Sequence, residues 1–461
     1  MPAAFAYSGS GGNVPNVGSI FFPVDVRLAL GTEGYSPDVI ALSLRQVSKT
    51  PSFAEASDDL RVLAEIDIGA THLQRLSERI GAEWAEIRDG DVEKFRQLKL
   101  ERSYKESPRG AAAVMLDGGH VQTRAEESGR GVSEESWREY KAACCLTLQT
   151  TAQDADPQPE PPSKFLEPTA AARLVSEIKR RSRPATEPCS EDSPRKKGSR
   201  GKKNSRKKNS QGKKKRKKRP QKKPAAAKRH RSRRKKPVRV RTVVATMENS
   251  EQFGWHVAAE VHRRGLDLAK RKACVCDGQA YNWSIYEMHL RPAGFIAILD
   301  FVHLLAYLYE AAHALHDADA ATGWKTYTQW LRLAWSGKVG LLLSNLRAAI
   351  GTLTRKGSSA AARRQTLEET LTYVTNNRQR MNYPEYRRLG LPISSAPVES
   401  TIKQINRRIK GSEKFWLASG VEAILQLRAA QLSEDDRWTR YWLRPRKHRR
   451  AVGSGRLAQP T

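Results

Sequence analysis

Between residues 195 and 241 the chain carries 27 lysines and arginines and not one aspartate or glutamate. Such a stretch cannot bury a core, because it has few apolar side chains to offset the entropy of ordering and its charges repel one another. Folded structure must therefore come from the chain before it and after it, with the basic run as a solvated, low-complexity insertion. The formal net charge of the 461 residues is +33, and removing those 27 charges leaves +6, so the excess is local. A polyanion is the partner this charge density suits, and nucleic acid is the commonest one.

The remaining sequence is long enough for two or three domains. The five cysteines, at 144, 145, 189, 274 and 276, lack the paired spacing of a zinc ribbon or finger. Four of them sit in apolar, strand-like runs, as small buried hydrophobes do, so a reducing compartment is expected. No apolar run of membrane-spanning length occurs. The N-terminus shows no basic segment ahead of an apolar one, so a secretory signal is not expected. The expected location is cytoplasmic and associated with nucleoid DNA.

Local patterns divide the chain as follows. Residues 1–20 are rich in Gly, Ser, Ala and Asn and read as disordered. Residues 21–105 are helical: Phe53, Leu60 and Leu63 mark one amphipathic helix after the start signal Pro51-Ser52. Ile68, Leu73, Leu76 and Ile80 mark a second that ends at Gly81. Two helices joined near Asp67-Ile68-Gly69 suggest a helix-turn-helix that binds DNA, against the plainer alternative of a helical hairpin.

Residues 106–150 hold two strands. The first is AAAVMLDGG, ending at Asp117, and the second runs through Cys144 and Cys145. Residues 151–237 form the disordered, Lys/Arg-rich insertion, Pro- and Glu-rich up to residue 194, with one short helix near Ala170 to Arg180. Residues 238–316 resume with the alternating strand VRVRTVVAT, a helix, the strand KACVCDG ending at Asp277, and the strand GFIAILD ending at Asp300 before an apolar helix. Residues 317–382 form a helical insertion, 383–440 the C-terminal helices, and 441–461 a basic tail.

The stretch 391–408, LPISSAPVESTIKQINRR, opens with proline and serine, which favour and cap a first helical turn. Glu399, Lys403, Arg407 and Lys410 then fall on one stripe of the helix. An acid able to hold a metal ion beside cations able to hold a polyanion suits phosphoryl transfer. A dipole-favoured N-terminal glutamate on a solvated basic face is the bland alternative.

The order of strands and helices is that of an RNase H-like fold interrupted twice. The expected fold class is α/β: an RNase H-like catalytic core with a helical insertion, preceded by a helical, helix-turn-helix-like region and interrupted by a disordered basic segment. Neighbouring strands lie about 4.8 Å apart, so carboxylates at their ends can share metal ions. Asp117, Asp277 and Glu399 are the expected metal ligands and catalytic acids. Asp300 is the rival for the second acid, with Asp300 and His303 otherwise a supporting pair in the catalytic site. A helix N-cap and a satisfied core histidine are their structural alternatives. Three acids suit Mg²⁺ or Mn²⁺, which prefer oxygen ligands.

The segments LDGGHVQTR, CDGQAYNW, ILDFVHLLAYLYEAA, YPEYRRLGLPISSAPVES and KQINRRIKGSEKFW, with W-x-E-Y-K at 137–141, resemble DDE transposases of the ISKra group of bacterial insertion sequences. The resemblance runs from about residue 110 to 438, outside the basic run, and is most specific at 383–416. It implies metal-dependent cleavage and joining of DNA strands at element ends, with the triad at Asp117, Asp277 or Asp300, and Glu399. Double-stranded DNA is then the expected partner, bound by a homo-oligomer. Arg124, Lys403, Asn406, Arg407, Arg408 and Lys410 are the expected contacts to its backbone. The alternatives are an inactive transposase-derived DNA-binding protein and an RNase H-like nuclease that cuts without joining.

Overall fold

The computed structural model describes residues 34–103, 110–124, 137–182, 240–317, 319–353, 358–411 and 414–443. The expectations for residues 1–20, for all but the last two residues of the basic run, and for most of the basic tail lie outside the described residues.

Three helices come first: α1 (Pro37–Val47), α2 (Phe53–Ala64) and α3 (Ala70–Arg96). Their starts are local chemistry. Ser36 accepts from the Val39 N–H and is followed by Pro37, and Ser52 accepts from the Glu55 N–H at 3.0 Å. The helix expected to end at Gly81 continues to Arg96. Gly81 is not a terminator but a point of close approach: a Cβ there would lie 2.5 Å from the Cα of Ala423. The apolar stripe of α3, with Leu73, Leu76 and Ile80 buried, packs on the C-terminal helix α13 (Ala418–Leu432).

A mixed α/β arrangement follows. Its five-stranded sheet has the order β3-β2-β1-β4-β5, from β1 (Ala111–Gln122), β2 (Trp137–Leu148), β3 (Val240–Thr246), β4 (Arg271–Cys276) and β5 (Ile296–Leu299). β1 is antiparallel to β2 and β2 to β3, while β1–β4 and β4–β5 are parallel. Ala111 to Leu116 are all at most 1 % exposed. Alternate side chains point to opposite faces, so both faces of the sheet centre are covered. The cysteines 144, 145, 274 and 276 lie in this core, buried and free, as their apolar context suggests.

β1 corrects an expectation. Asp117 is not at a strand end, and Asp117-Gly118-Gly119 is not a turn. The strand runs five residues further, paired with β2 from Asp117↔Ala142 to Gln122↔Trp137. The two glycines admit neighbours instead: a Cβ at Gly119 would meet the Tyr140 ring at 2.5 Å, and one at Gly118 would collide with the Glu139 carboxylate.

Residues 151–182 are also not disordered. They contain α4 (Pro168–Ser182), which packs on α7 (Phe301–His316). Ahead of it, Asp156 pairs with Arg387, and the Gln158 carbonyl accepts from Trp335 Nε1 at 2.9 Å. Between β3 and β4 lies α5 (Ser250–Arg263), capped by Asn249. After β4 comes α6 (Ala280–Ile285). The helical stretch expected at 317–382 is α8 (Ala320–Trp335), α9 (Val339–Thr352) and α10 (Ser358–Asn377). Then come α11 (Tyr383–Arg388), α12 (Ala396–Ile409) across β1 and β2, α13, and α14 (Arg437–Trp442).

Candidate functional site: an acidic cluster at the sheet edge

Sheet register brings three aspartates to one level. The last register pair of β1 and β4 is Met115↔Val275, so Asp117 and Asp277 lie two residues beyond it on neighbouring segments. The last pair of β4 and β5 is Cys276↔Leu299, and the Asp300 N–H donates to the Cys276 carbonyl at 2.8 Å. Asp277 and Asp300 are therefore the next register pair. Glu399 arrives from α12, within the first turn after Pro397.

The acids are not equivalent. Asp300 is fully buried and its oxygens are occupied by protein donors. Oδ1 caps α7, accepting from the Val302 N–H at 2.6 Å and the His303 N–H at 3.3 Å. Oδ2 accepts from the Ser395 N–H at 2.7 Å and from the Ser395 hydroxyl. His303 Nδ1 lies 3.4 Å from the same oxygen, an ion-pair distance without hydrogen-bond alignment. Burial alone would raise the Asp300 carboxyl, but His303 and Ser395 outweigh it and hold it below the usual range. Burial opposes the His303 imidazolium too, yet Asp300, Asp277 and Glu399 carry its pKa up to about 10.

Asp117 and Asp277 behave in the opposite way. Asp117 Oδ1 accepts from the Gly118 N–H at 2.8 Å. Burial, the Asp277 charge and, less strongly, Glu399 push its carboxyl up to about 8. Asp277 Oδ1 accepts from the Gln279 N–H and Asn282 Nδ2, both at 3.1 Å, and burial again raises its pKa. The two carboxyls lie at one register level on neighbouring strands, and burial disfavours the charge on each.

Asp300, His303 and Glu399 each offer a ligand atom within 4.8 Å of the others, so a group able to hold a metal is present. The oxygen-rich donor set fits a hard divalent ion. Within that group, Asp300 spends its lone pairs on Ser395 and α7, and His303 is favoured in its protonated form.

The sequence missed the supports. Tyr373 Oη donates to the Asp277 carbonyl at 2.6 Å, and Tyr281 Oη donates to Glu139 Oε1 at 3.2 Å beside Gly118. Ser395 was read as a helix cap, but no N–H of α12 donates to its side chain. Its hydroxyl tethers Asp300 and lies 3.3 Å from Glu399 Oε1. Glu139, Asn282 and Ser395 all fall inside the motif segments of the sequence, which is the signal that marks them.

The basic residues separate into two groups. Lys403, Arg407 and Lys410 are exposed on α12, Lys403 pairing with Glu177 and Lys410 lying 5.6 Å above the Trp137 ring. Arg124 is exposed at the end of β1, its N–H bonded to the Trp416 carbonyl at 2.8 Å. Asn406 instead accepts from Tyr140 Oη at 2.9 Å. Arg408 corrects its expected role on DNA, being 1 % exposed. It donates to the Val47 and Pro51 carbonyls at 2.8 and 3.1 Å and stacks between Phe53 and Trp416. Its position on the inner face of α12 makes it a brace between that helix and the α1–α2 loop.

No protein-family model matches this chain, and no curated protein matches it. Among the described residues no helix is long and apolar enough to cross a membrane.

Proposed function

We propose that the chain is a metal-dependent polynucleotidyl transferase built on an RNase H-like sheet. The observation that carries this is the shared register level of Asp117 and Asp277 on the central parallel pair, with Glu399, at the start of α12, near enough to add to the rise of the Asp117 carboxyl. The strand order, with one antiparallel half and one parallel half meeting at β1, supports the RNase H-like reading. Within that class, the motif segments and the helices between β5 and α12 support a DDE transposase similar to the ISKra group.

Asp117, Asp277 and Glu399 are the residues that would hold Mg²⁺ or Mn²⁺. A pair of such ions, when bound, supplies an activated water or 3′-hydroxyl and stabilises the departing oxygen. The protein's own part is positioning. The Asn282 amide and the Gln279 N–H orient Asp277, and Ser395 with Asp300 fixes the start of α12 so that Glu399 faces the pair. Lys403 and Arg407, exposed along α12, would hold phosphates of double-stranded DNA.

The test is cleavage and joining of labelled duplexes carrying the inverted repeats that flank the gene, with Mg²⁺ or Mn²⁺. Nicking at the repeat ends and joined products are expected from the wild type. Asp117→Asn, Asp277→Asn and Glu399→Gln should each abolish both while leaving duplex binding intact. Cutting without joining would point to a nuclease. Undiminished activity in all three variants would overturn the site.

A further inference from the structure

We infer that the cavity beside Asp277 is a subsite for an unstacked nucleobase next to the reacting phosphodiester. The inference rests on the polynucleotide reading of the acidic site.

The cavity has a volume of about 730 Å³, enough for a base with its sugar, and is walled by α6, α7 and α10. Gly278, the residue directly after Asp277, forms part of its wall. Gly278 has φ +102°, and a Cβ there would lie 2.7 Å from the Tyr373 ring, so the chain leaves the acid and passes straight under an aromatic surface. Tyr373 in turn stacks on Tyr307 with centroids 3.9 Å apart and planes inclined by 13°. Tyr307 keeps 38 % of its surface exposed, so its outer face is open. A strand whose phosphate sits on Asp117 and Asp277 would present its neighbouring nucleotide here.

The lining chemistry selects the occupant. Glu368 and Glu369 stand on the cavity wall, with Asp277 adjacent, so a phosphate group is repelled. The one lining guanidinium, Arg380, is engaged 4.1 Å above the Trp283 ring and donates to Asn377 Oδ1 at 3.0 Å. What remains are the outer face of the Tyr307 ring, the Asn376 amide and the Gln365 amide, whose nitrogen donates to Glu369 at 2.8 Å. A neutral, planar ligand with donors and acceptors along its edge fits that set, and a nucleobase is such a ligand.

The test uses the full chain and a short single-stranded oligothymidylate bearing one 5-iodouracil, which couples to aromatic rings stacked on it. Cross-links mapping to Tyr307 or Tyr373 are expected. At salt high enough to suppress phosphate contacts, Tyr307→Ala should weaken binding of this oligonucleotide about tenfold, within the range of one lost base–aromatic stack. Tyr307→Phe keeps the stack and should bind as wild type. Cross-links confined to residues outside the cavity, or equal binding by Tyr307→Ala, would overturn the subsite. Duplex cleavage is read separately: cleavage without cavity cross-links sinks the subsite alone, and cavity cross-links without cleavage sink the transferase reading alone.

Discussion

Asp277 and Asp300 stand one strand apart and differ mainly in what already binds them. Asp300 receives hydrogen bonds from α7 and from Ser395, so replacing it strips a helix cap and leaves buried donors unmet. Asp300→Ala should lower stability by about 2–4 kcal/mol in chemical denaturation. Asp277→Asn removes one member of a repelling pair and should not lower the thermal midpoint at all, although it abolishes cleavage. If both substitutions destabilise alike, the division between supporting and metal-holding acid is wrong. A similar division runs along α12. Arg408→Ala deletes a buried guanidinium that binds two carbonyls and two rings, and about 3 kcal/mol of stability should go with it. Arg407→Ala, on the exposed face, should leave the denaturation curve unchanged and slow cleavage instead.

At the scale of elements, α5, α14 and the connection ahead of α14 are joined by a buried charge network. Arg437 binds Glu260 at 2.6 Å and Asp435 at 2.8 Å, and Arg263 reaches both acids. Burial favours the neutral acids, but the two arginines dominate and hold both carboxyls below their ordinary values. A depressed carboxyl stabilises the fold above its unfolded pKa and loses that contribution as pH falls through the folded one. Melting midpoints should therefore decline as pH drops below about 4, and less steeply once Asp435 is replaced by Asn.

Elements whose signals are local were legible in the sequence: the caps at Ser52 and Asp300, and the alternating strand at β3. The order of strands and the four acids were legible too, because each aspartate follows or interrupts an apolar run and Glu399 follows a proline- and serine-rich helix start. What the sequence hid was set by distant partners. Gly81 looks like a helix terminator until Ala423 is opposite it. Asp117 looks like a strand end until β2 extends the pairing past Gly119. Residues 151–182 look like linker because the contacts that order them, such as Asp156 with Arg387, lie far along the chain. Arg408 reads as one more surface cation in a basic helix, since helical spacing does not say which face meets the α1–α2 loop.

For the whole molecule, charge and fold are separable. The 27 cations between 195 and 241 account for most of the net charge of +33, whereas the acidic site is assembled from other segments. Each phosphate neutralised on duplex DNA contributes about −0.9 to the slope of log affinity against log salt. Deleting residues 195–236 should flatten that slope and weaken binding to random duplex, while metal-dependent cleavage at saturating DNA persists. Loss of folding on deletion would show that the segment belongs to the core.

The seam between the N-terminal helices α1 to α3 and the C-terminal helices α12 to α14 also governs when this protein becomes foldable. Arg408 reaches back to Val47, Gln431 donates to the Leu44 carbonyl, and Tyr441 donates to Glu83. Helices α1 to α3 thus wait for partners more than 350 residues further along the chain before their apolar faces are fully covered. Contacts this remote in sequence slow folding and leave a sticky intermediate during synthesis. A nascent chain stalled before residue 418 would lack the α13 face that packs on α3, where Leu73, Leu76 and Ile80 are buried, and such chains are natural clients for chaperones and proteases.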